Sequence, residues 1–149
     1  MERTKSYWLE STSTTNYPVL DKDISVDVAV IGGGLAGITT AWLLKQEGLG
    51  VVVLEADRIC QGTTGHSTAK ISSQHDLIYA WLDKEFGRER AKQYADANET
   101  AVKTMADIVK SQKIDCDFQW QPAYVYTEQD KYVEEIQKEA KIAGALGIG

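Results

Sequence analysis

Residues 26–55, VDVAVIGGGLAGITTAWLLKQEGLGVVVLE, narrow the choice of folds more than any other part of the sequence. The run Val28 to Ile31 is apolar without alternation, which is typical of a strand buried on both faces. Apolar positions at helical spacing follow the glycines and predict a helix over Leu35 to Gln46. A second apolar run, Val51 to Leu54, is closed by Glu55 and predicts another strand. This order predicts a βαβ unit with two parallel strands.

The glycines and the acidic residue in this stretch match the demands of a bound dinucleotide. Gly32 permits a sharp turn, Gly34 lets a pyrophosphate approach the backbone, and Gly37 lets the helix pack close to the sheet. The helix N-terminus offers N–H groups and a partial positive charge to phosphates. Glu55, at the tip of the second strand, is predicted to accept hydrogen bonds from ribose hydroxyls. The alternative is a glycine-rich turn in an ordinary βαβ unit.

The next segment, ADRICQGTTGHSTAK at residues 56–70, is dense in Gly, Ser and Thr. It follows the acidic strand tip, where a ligand of this fold lies. The hydroxyls and backbone N–H groups of residues 62–67 are therefore predicted to hold a phosphate or a flavin. The alternative is a connecting loop in which Thr and Ser cap the next helix.

Length and charge exclude several other classes of function. The chain has 149 residues, typical of one domain, and its net charge of -6 argues against a nucleic-acid partner. The N-terminus lacks the apolar segment of a signal peptide, so a cytoplasmic location is expected. The apolar run of residues 28–44 is shorter than the roughly 20 residues of a membrane span, so no span is predicted.

Cysteine and histidine usage argues against a metal centre. Cys60 and Cys116 lie far apart, form no CxxC pair and are accompanied by only two histidines. The sequence therefore shows no ligand set with the usual metal spacing. Both cysteines are expected to be reduced thiols, because disulfides are rare in the cytoplasm.

The regions outside the glycine stretch predict an arm, helices and a few strand residues. The polar segment 1–22 predicts an arm, and its expected anchors are Tyr7, Trp8, Tyr17 and Pro18. Helical stripes, interrupted at Gly87, cover residues 71–113. Aromatic residues alternate between Phe118 and Tyr126 and predict one or two strands. A last helix is predicted near residues 132–143.

The whole pattern predicts an α/β fold. A Rossmann-like FAD/NAD(P)-binding βαβ unit with an incomplete sheet is followed by a mostly helical segment with one or two strands of a substrate domain. The expected divisions are an arm at 1–22, the cofactor-binding unit and its loop at 23–74, and the start of a substrate region at 75–149. Since a dinucleotide fold needs further strands after Glu55, we expect an N-terminal piece of a larger enzyme.

The glycine stretch, the loop GTTGHSTAK and the following Ser-Ser-Gln-His together resemble the D-amino-acid-oxidase type of FAD-dependent oxidoreductase. The similarity is greatest to a bacterial branch whose members carry a C-terminal Rieske iron–sulfur domain, and it runs from about Tyr7 to the end. The resemblance implies that the glycine motif binds the ADP half of FAD and that the loop passes beside the flavin. The Cys-His ligand pairs of a Rieske domain and the family's late flavin-contacting motif are not in these 149 residues.

The resemblance also implies which residues bind FAD. The glycine turn would lie at the pyrophosphate, the acidic residue at the adenosine ribose, residues 56 and 58 near the adenosine, and residues 63–67 near the pyrophosphate or the ring. The full set is Ile31, Gly32, Gly34, Leu35, Ala36, Gly37, Glu55, Ala56, Arg58, Thr63, Thr64, Gly65, His66 and Ser67. The sequence assigns no catalytic residue and no metal ligand.

His66 has two interpretations. Enzymes of the dimethylglycine- and sarcosine-dehydrogenase type have a histidine after Gly-Thr-Thr-Trp and link it covalently to the flavin. Here Gly65 stands in the place of the tryptophan. The sequence leaves open a covalent link and a histidine that forms hydrogen bonds near the cofactor.

Three hypotheses for function follow from these patterns. The first is a flavin oxidoreductase that takes a hydride from a small amine or amino-acid-like donor, with an iron–sulfur domain of the parent protein as a candidate electron acceptor. The second is an NAD-binding Rossmann protein, because Glu55 suits either ribose and disfavours a 2′-phosphate. The third is a folded fragment without cofactor, whose exposed strand edges would favour a homo-oligomer.

Overall fold

The protein, in a computed structural model, is described over residues 5–148. Residues 1–4 of the predicted arm and residue 149 lie outside this range. The chain divides between Ala69 and Lys70 into two compact units. The elements of the N-terminal unit are α1 (Tyr7–Ser11), β1 (Val28–Ile31), α2 (Leu35–Gln46), β2 (Val51–Leu54) and a 3₁₀ turn (Thr63–His66). Those of the C-terminal unit are α3 (Ile78–Phe86), α4 (Arg88–Ser111), a 3₁₀ turn (Asp130–Tyr132) and α5 (Val133–Ala145).

β1 and β2 form a parallel two-stranded sheet, in which Val28 lies opposite Val51 and Ile31 opposite Leu54. α2 connects the two strands and packs on both. The predicted βαβ unit is confirmed, with strands and helix at the predicted bounds. The expectation of strands buried on both faces is wrong, because every residue of β1 and β2 is half-buried or exposed. A parallel sheet reaches full burial only when helices cover both of its faces, and α2 covers one.

Within the described residues, the arm is held to the rest of the unit by residues 6–9, whereas residues 13–22 are exposed. Tyr7–Ser11 form a short helix that the sequence pattern did not predict. Trp8 is an anchor, as expected, since its Nε1 donates a hydrogen bond to Ser67 O at 2.7 Å. Tyr17 is 70% exposed and does not anchor the arm. An aromatic side chain secures a loop only where the fold places apolar surface or a hydrogen-bond acceptor beside it.

The core of the C-terminal unit is built on α3, against which both α4 and α5 pack. Its buried apolar residues are Tyr79, Ala91, Ala95, Ala143 and Leu146. α3 ends and α4 begins at Gly87, where the sequence also predicted the interruption. The predicted apolar stripe of α4 is buried in its first two turns only, because α3, with nine residues, is much shorter than the 24-residue α4.

A buried carboxylate joins α5 to the start of α3. Glu139 is 3% exposed, and its Oε1 accepts hydrogen bonds from Tyr79 N and from Gln74 Nε2, both at 2.9 Å. Its Oε2 accepts from Ala80 N at 2.6 Å. These backbone donors belong to the first turn of α3, whose own N-cap, Leu77, has no side chain that can accept. Glu139 therefore caps α3 from a distant helix, which hydrophobic periodicity could not have predicted.

Tyr79 holds the segment that precedes α3. Burial raises the pKa of Tyr79 to about 12, with smaller contributions from Tyr94, Glu99 and Glu139. The phenol therefore stays protonated at neutral pH and donates to Ser73 O at 2.5 Å. Ser73 in turn donates through its hydroxyl to Glu99 on α4, at 2.5 Å.

The prediction of one or two strands between Phe118 and Tyr126 is wrong for the described residues, which form no strand there. Trp120, Tyr124 and Tyr126 are exposed by 66%, 81% and 82%. A strand needs a neighbour to accept and donate its backbone hydrogen bonds, and within residues 5–148 no segment pairs with this one. Alternating aromatic residues give the period of a strand but do not provide its partner.

Candidate functional site

The glycine turn lies at the junction between β1 and α2. Gly32 follows the last residue of β1 and has φ of +100°, in the left-handed region that favours glycine. Its N–H donates to Leu54 O at 2.7 Å, so the turn begins while the chain is still held by β2. Gly34 is the N-cap of α2. The turn therefore points the first N–H groups of α2 towards the carboxyl ends of the two strands.

Gly37 sets the distance between α2 and the turn. A Cβ at this position would overlap the carbonyl oxygen of Gly32 and lie 3.4 Å from Val30 Cγ1. A hydrogen is therefore the only side chain that this contact admits. The role predicted for Gly37, close packing of helix and sheet, is the one that its surroundings require.

Gly33, to which the sequence reading gave no role, is also tightly packed. It is buried, and a Cβ there would lie 2.6 Å from Ile59 Cγ2 and 3.3 Å from Glu55 Cβ. The middle glycine thus lets the loop after β2 fold back onto the turn. The glycine motif specifies only its first, third and sixth positions, Gly32, Gly34 and Gly37, so it does not predict the close packing at Gly33.

Glu55 lies beside the turn, as the strand-tip position predicts. Its Oε2 accepts a hydrogen bond from Gly33 N at 2.7 Å, and its Oε1 accepts from Asp57 N at 3.1 Å. The hydrogen bonds from Gly33 and Asp57 hold the pKa of this carboxyl below its ordinary value of 4.5. Glu55 is therefore ionised at neutral pH and keeps lone pairs for further donors. Because the folded-state pKa of Glu55 is lowered, its ionised carboxylate stabilises the fold fully above pH 4.5. This stabilisation is lost as the pH falls through the lower, folded-state pKa.

The loop at residues 56–67 packs over the turn through backbone and hydroxyl contacts. Cys60 N donates to Gly33 O at 2.9 Å. Thr64 Oγ1 accepts from Leu35 N at 3.0 Å, so a loop hydroxyl caps the first N–H group of α2. The structure thereby brings together Glu55, Thr64 and residues 31, 32 and 34–37, which the sequence assigned to one site, and adds Gly33 to them.

The remaining predicted site residues lie around this centre. Ala56 and Arg58 are exposed on the loop directly after Glu55, and Ile31 is 78% exposed at the end of β1. His66 is exposed, with Nδ1 2.9 Å from Gly62 O, and Thr63 lies in the same 3₁₀ turn. Ala36 is exposed in the first turn of α2, and the carbonyls of Gly65 and Ser67 accept hydrogen bonds from the arm.

The free space and the donors at the turn fit the pyrophosphate of a dinucleotide. Among the described residues, a Cβ on Gly32 would meet no atom within 4 Å, and one on Gly34 would meet only Thr64 Oγ1, at 3.2 Å. Over residues 5–148, no hydrogen bond uses the N–H groups of Ala36 and Gly37. Open backbone, unpaired helix N–H groups and a nearby carboxylate are the features that a phosphate and a ribose require.

Two other classes of site find no support in the described part of the chain. Residues 5–148 contain no group of three or more His, Cys, Asp or Glu side chains that could hold a metal ion. No helix among them has both the length and the apolar character needed to cross a membrane. Cys60 is half-buried, Cys116 is exposed, and they form no disulfide within residues 5–148.

The chain is similar to known proteins over almost its whole length. A family model described as FAD dependent oxidoreductase matches residues 27–149. A protein of Bacillus subtilis named as a putative Rieske 2Fe-2S iron-sulfur protein is 41% identical over 147 residues, 99% of this chain and 29% of that protein. Gamma-glutamylputrescine oxidoreductase of Escherichia coli is 30% identical over 118 residues, 78% of this chain and 28% of that enzyme.

The matches cover most of this chain but only a small part of each relative. The chain spans less than a third of the length of either relative. No solved structure matches it significantly. The family match nevertheless extends over residues 27–69 of the N-terminal unit, with the glycine turn, Glu55 and the loop, and over the whole C-terminal unit. The chain belongs to the D-amino-acid-oxidase (DAO) family of FAD-dependent oxidoreductases, and its cofactor is FAD.

Proposed function

We propose that residues 26–67 form the ADP-binding part of the FAD site in an oxidoreductase that oxidises a small amine or amino-acid-like donor. One observation carries the proposal: the Glu55 carboxylate lies at the glycine turn and accepts a hydrogen bond from Gly33 N. A ribose acceptor and phosphate donors therefore lie within one small region. The relative named gamma-glutamylputrescine oxidoreductase supports an amine as the donor.

Each part of the site has a defined task in this proposal. The N–H groups at the start of α2 donate to the pyrophosphate, and Gly34 leaves the space for its approach. Glu55 accepts hydrogen bonds from the adenosine ribose, while Thr64 and the rest of the loop lie beside the cofactor and limit its contact with water. Bound FAD supplies the redox chemistry by accepting a hydride from the donor, and the protein supplies position and electrostatics.

The complete protein is proposed to include an iron–sulfur domain that accepts electrons from the flavin. The relative named as a Rieske iron-sulfur protein supports this assignment, because the similarity extends over 99% of the chain. In this proposal the iron ligands belong to that domain and not to residues 5–148.

The donor class is tested on the complete gene product that carries this chain. After reconstitution with FAD, we expect flavin absorption bands, and we expect them to fade under anaerobic conditions when a suitable amine or amino acid is added. A panel of such donors is mixed with the protein while absorption is recorded. Absence of flavin bands would overturn the cofactor site, whereas bands that no amine or amino acid bleaches would overturn the donor class.

Gly34→Val is expected to weaken FAD binding by about 100-fold while the fold is kept. The added methyl groups would occupy the approach of the pyrophosphate to the backbone, and tenfold corresponds to 1.4 kcal/mol of lost interaction. Gly34 has φ of -83°, which other residues adopt readily, and among residues 5–148 an added Cβ would come close only to Thr64 Oγ1, at 3.2 Å, which can give by a few tenths of an ångström. Flavin fluorescence quenching measures the affinity, and thermal unfolding of the same sample checks the fold. Unchanged affinity would refute the site.

His66 is expected to hold no covalent flavin. Its Nδ1 is engaged with Gly62 O, which suits a histidine that helps to shape the loop. Acid precipitation of the reconstituted protein should therefore leave the yellow colour in the supernatant. Colour that stays with the precipitated protein would show a covalent link and reverse this assignment.

A further inference from the structure

We propose that residues 6–9, the N-cap and first turn of α1, are a clamp that positions the loop at residues 56–67, with Ser6 and Trp8 as its positioning residues. The inference rests on the proposed function, because that proposal is what places the 3₁₀ turn Thr63–His66 beside FAD. It assigns to the arm, which lies almost 60 residues away in sequence, a task in cofactor binding that the glycine motif does not include.

Two hydrogen bonds and one apolar contact join the arm to the loop. The Ser6 hydroxyl donates to Gly65 O, and Trp8 Nε1 donates to Ser67 O at 2.7 Å. The side chain of Leu9 lies against Gly65 so closely that a Cβ there would come within 2.7 Å of Leu9 Cδ2. Gly65 is buried by this contact. The N-cap of α1 and its first turn thus hold the end of the loop, through the carbonyls of Gly65 and Ser67 and the contact of Leu9 with Gly65.

The same loop is held from its other side by the glycine turn. Thr64 Oγ1 accepts from Leu35 N, and Cys60 N donates to Gly33 O. Thr64 and Gly65 are neighbours, so the loop is fixed between the start of α2 and the arm. A segment with a single 3₁₀ turn has few internal bonds, and its position depends on such external contacts.

The contact between arm and loop is not continuous packing. A cavity of about 380 Å³ lies between them, and its walls include Trp8, Leu9, Thr12, Ile59 and Thr64. Because this space is not filled by side chains, the position of the turn on the arm side depends on the hydrogen bonds of Ser6 and Trp8 and on the contact of Leu9. Loss of either bond would let the turn move into the cavity and withdraw Thr64 from the first N–H group of α2.

Two conservative variants test the clamp. Trp8→Phe keeps an aromatic ring and removes the N–H donor, and Ser6→Ala removes one hydroxyl. The matched control is Tyr7→Phe in the same helix, since Tyr7 is 69% exposed. A neutral hydrogen bond changes an equilibrium by about three- to tenfold, so each clamp variant should weaken FAD binding by that factor and the control should not.

Amide exchange in the cofactor-free protein provides a second readout that does not depend on FAD. The N–H groups of Gly65 and Ser67 are hydrogen-bonded within the turn, to Gly62 O and Thr64 O. We expect both to exchange about threefold faster or more in Trp8→Phe and Ser6→Ala, with the amides of β2 unchanged. Ser6→Ala keeps the test decisive if Trp8→Phe disturbs the whole unit.

The outcomes separate this inference from the proposed function. Exchange at Gly65 and Ser67 that matches the wild type in both variants would overturn the clamp. Faster exchange without any loss of FAD affinity would also overturn it, because the turn would then not need positioning. A wild-type protein that binds no FAD would refute the proposed function, and the clamp as a positioning device would fall with it, whatever the exchange rates.

Discussion

Gly37→Ala is expected to lower the free energy of unfolding of the N-terminal unit by about 2 kcal/mol, a typical cost of overpacking. The added Cβ would overlap Gly32 O, a backbone atom that cannot move freely, because Gly32 N is bound to Leu54 O at 2.7 Å. Glycine to alanine within a helix normally stabilises it by about 0.5–1 kcal/mol. A decrease in the free energy of unfolding would therefore show that α2 packs closely on the turn, whereas an increase would show that it does not.

The matched control is Gly144→Ala, which lies within α5, where an added Cβ meets no atom within 4 Å. This control should stabilise its helix slightly. Because the chain has two units, amide exchange of β1 and α2 measures the effect better than a single unfolding curve. A Gly37→Ala protein with unchanged protection in these elements would show that α2 does not pack on the turn as described.

Glu139→Ala should lower the free energy of unfolding of the C-terminal unit by about 3 kcal/mol, because it leaves buried backbone donors without an acceptor. Tyr79 N and Ala80 N would lose their acceptor at the start of α3, and Gln74 Nε2 would lose its own. Leu77, at the N-cap, offers no replacement. Glu139→Gln keeps an acceptor oxygen and should cost less.

Glu135→Ala is the control for this substitution, since Glu135 is an exposed residue of the same helix. It should change stability by less than about 0.5 kcal/mol, as surface substitutions usually do. Exchange of the Tyr79 and Ala80 amides measures the difference directly. Equal exchange in the Glu139→Ala and Glu135→Ala proteins would mean that Glu139 does not cap α3.

The sequence predicted the elements whose determinants are local. The bounds of β1, α2 and β2 follow from apolar runs and helical spacing, and the turn follows from the glycines. Glu55 could be placed because the end of a parallel strand lies beside the start of the preceding helix. These features depend on residues that are close together in the chain, so they can be predicted from a single sequence.

The contacts that join distant segments could not be predicted in the same way. The packing of Gly33 on Ile59, the Trp8 hydrogen bond to Ser67 and the cap from Glu139 each depend on tertiary structure. The wrongly predicted strands near Trp120 have the same origin, because alternation does not reveal whether a partner strand is present. The incomplete burial of β1 has the same cause, because it depends on which elements cover the two faces of the sheet and not on the apolar residues of the strand.

The central claim is that the glycine turn and Glu55 bind the ADP half of FAD. Its most direct test compares the affinity of the protein for FAD and for FMN, which lacks the adenosine phosphate, before and after Glu55→Gln. We expect FAD to bind about 100-fold more tightly than FMN, and the substitution, which weakens a charged hydrogen bond, to cost FAD about tenfold and FMN nothing. Equal affinity for the two flavins, or FAD binding that is unaffected by Glu55→Gln, would contradict the account.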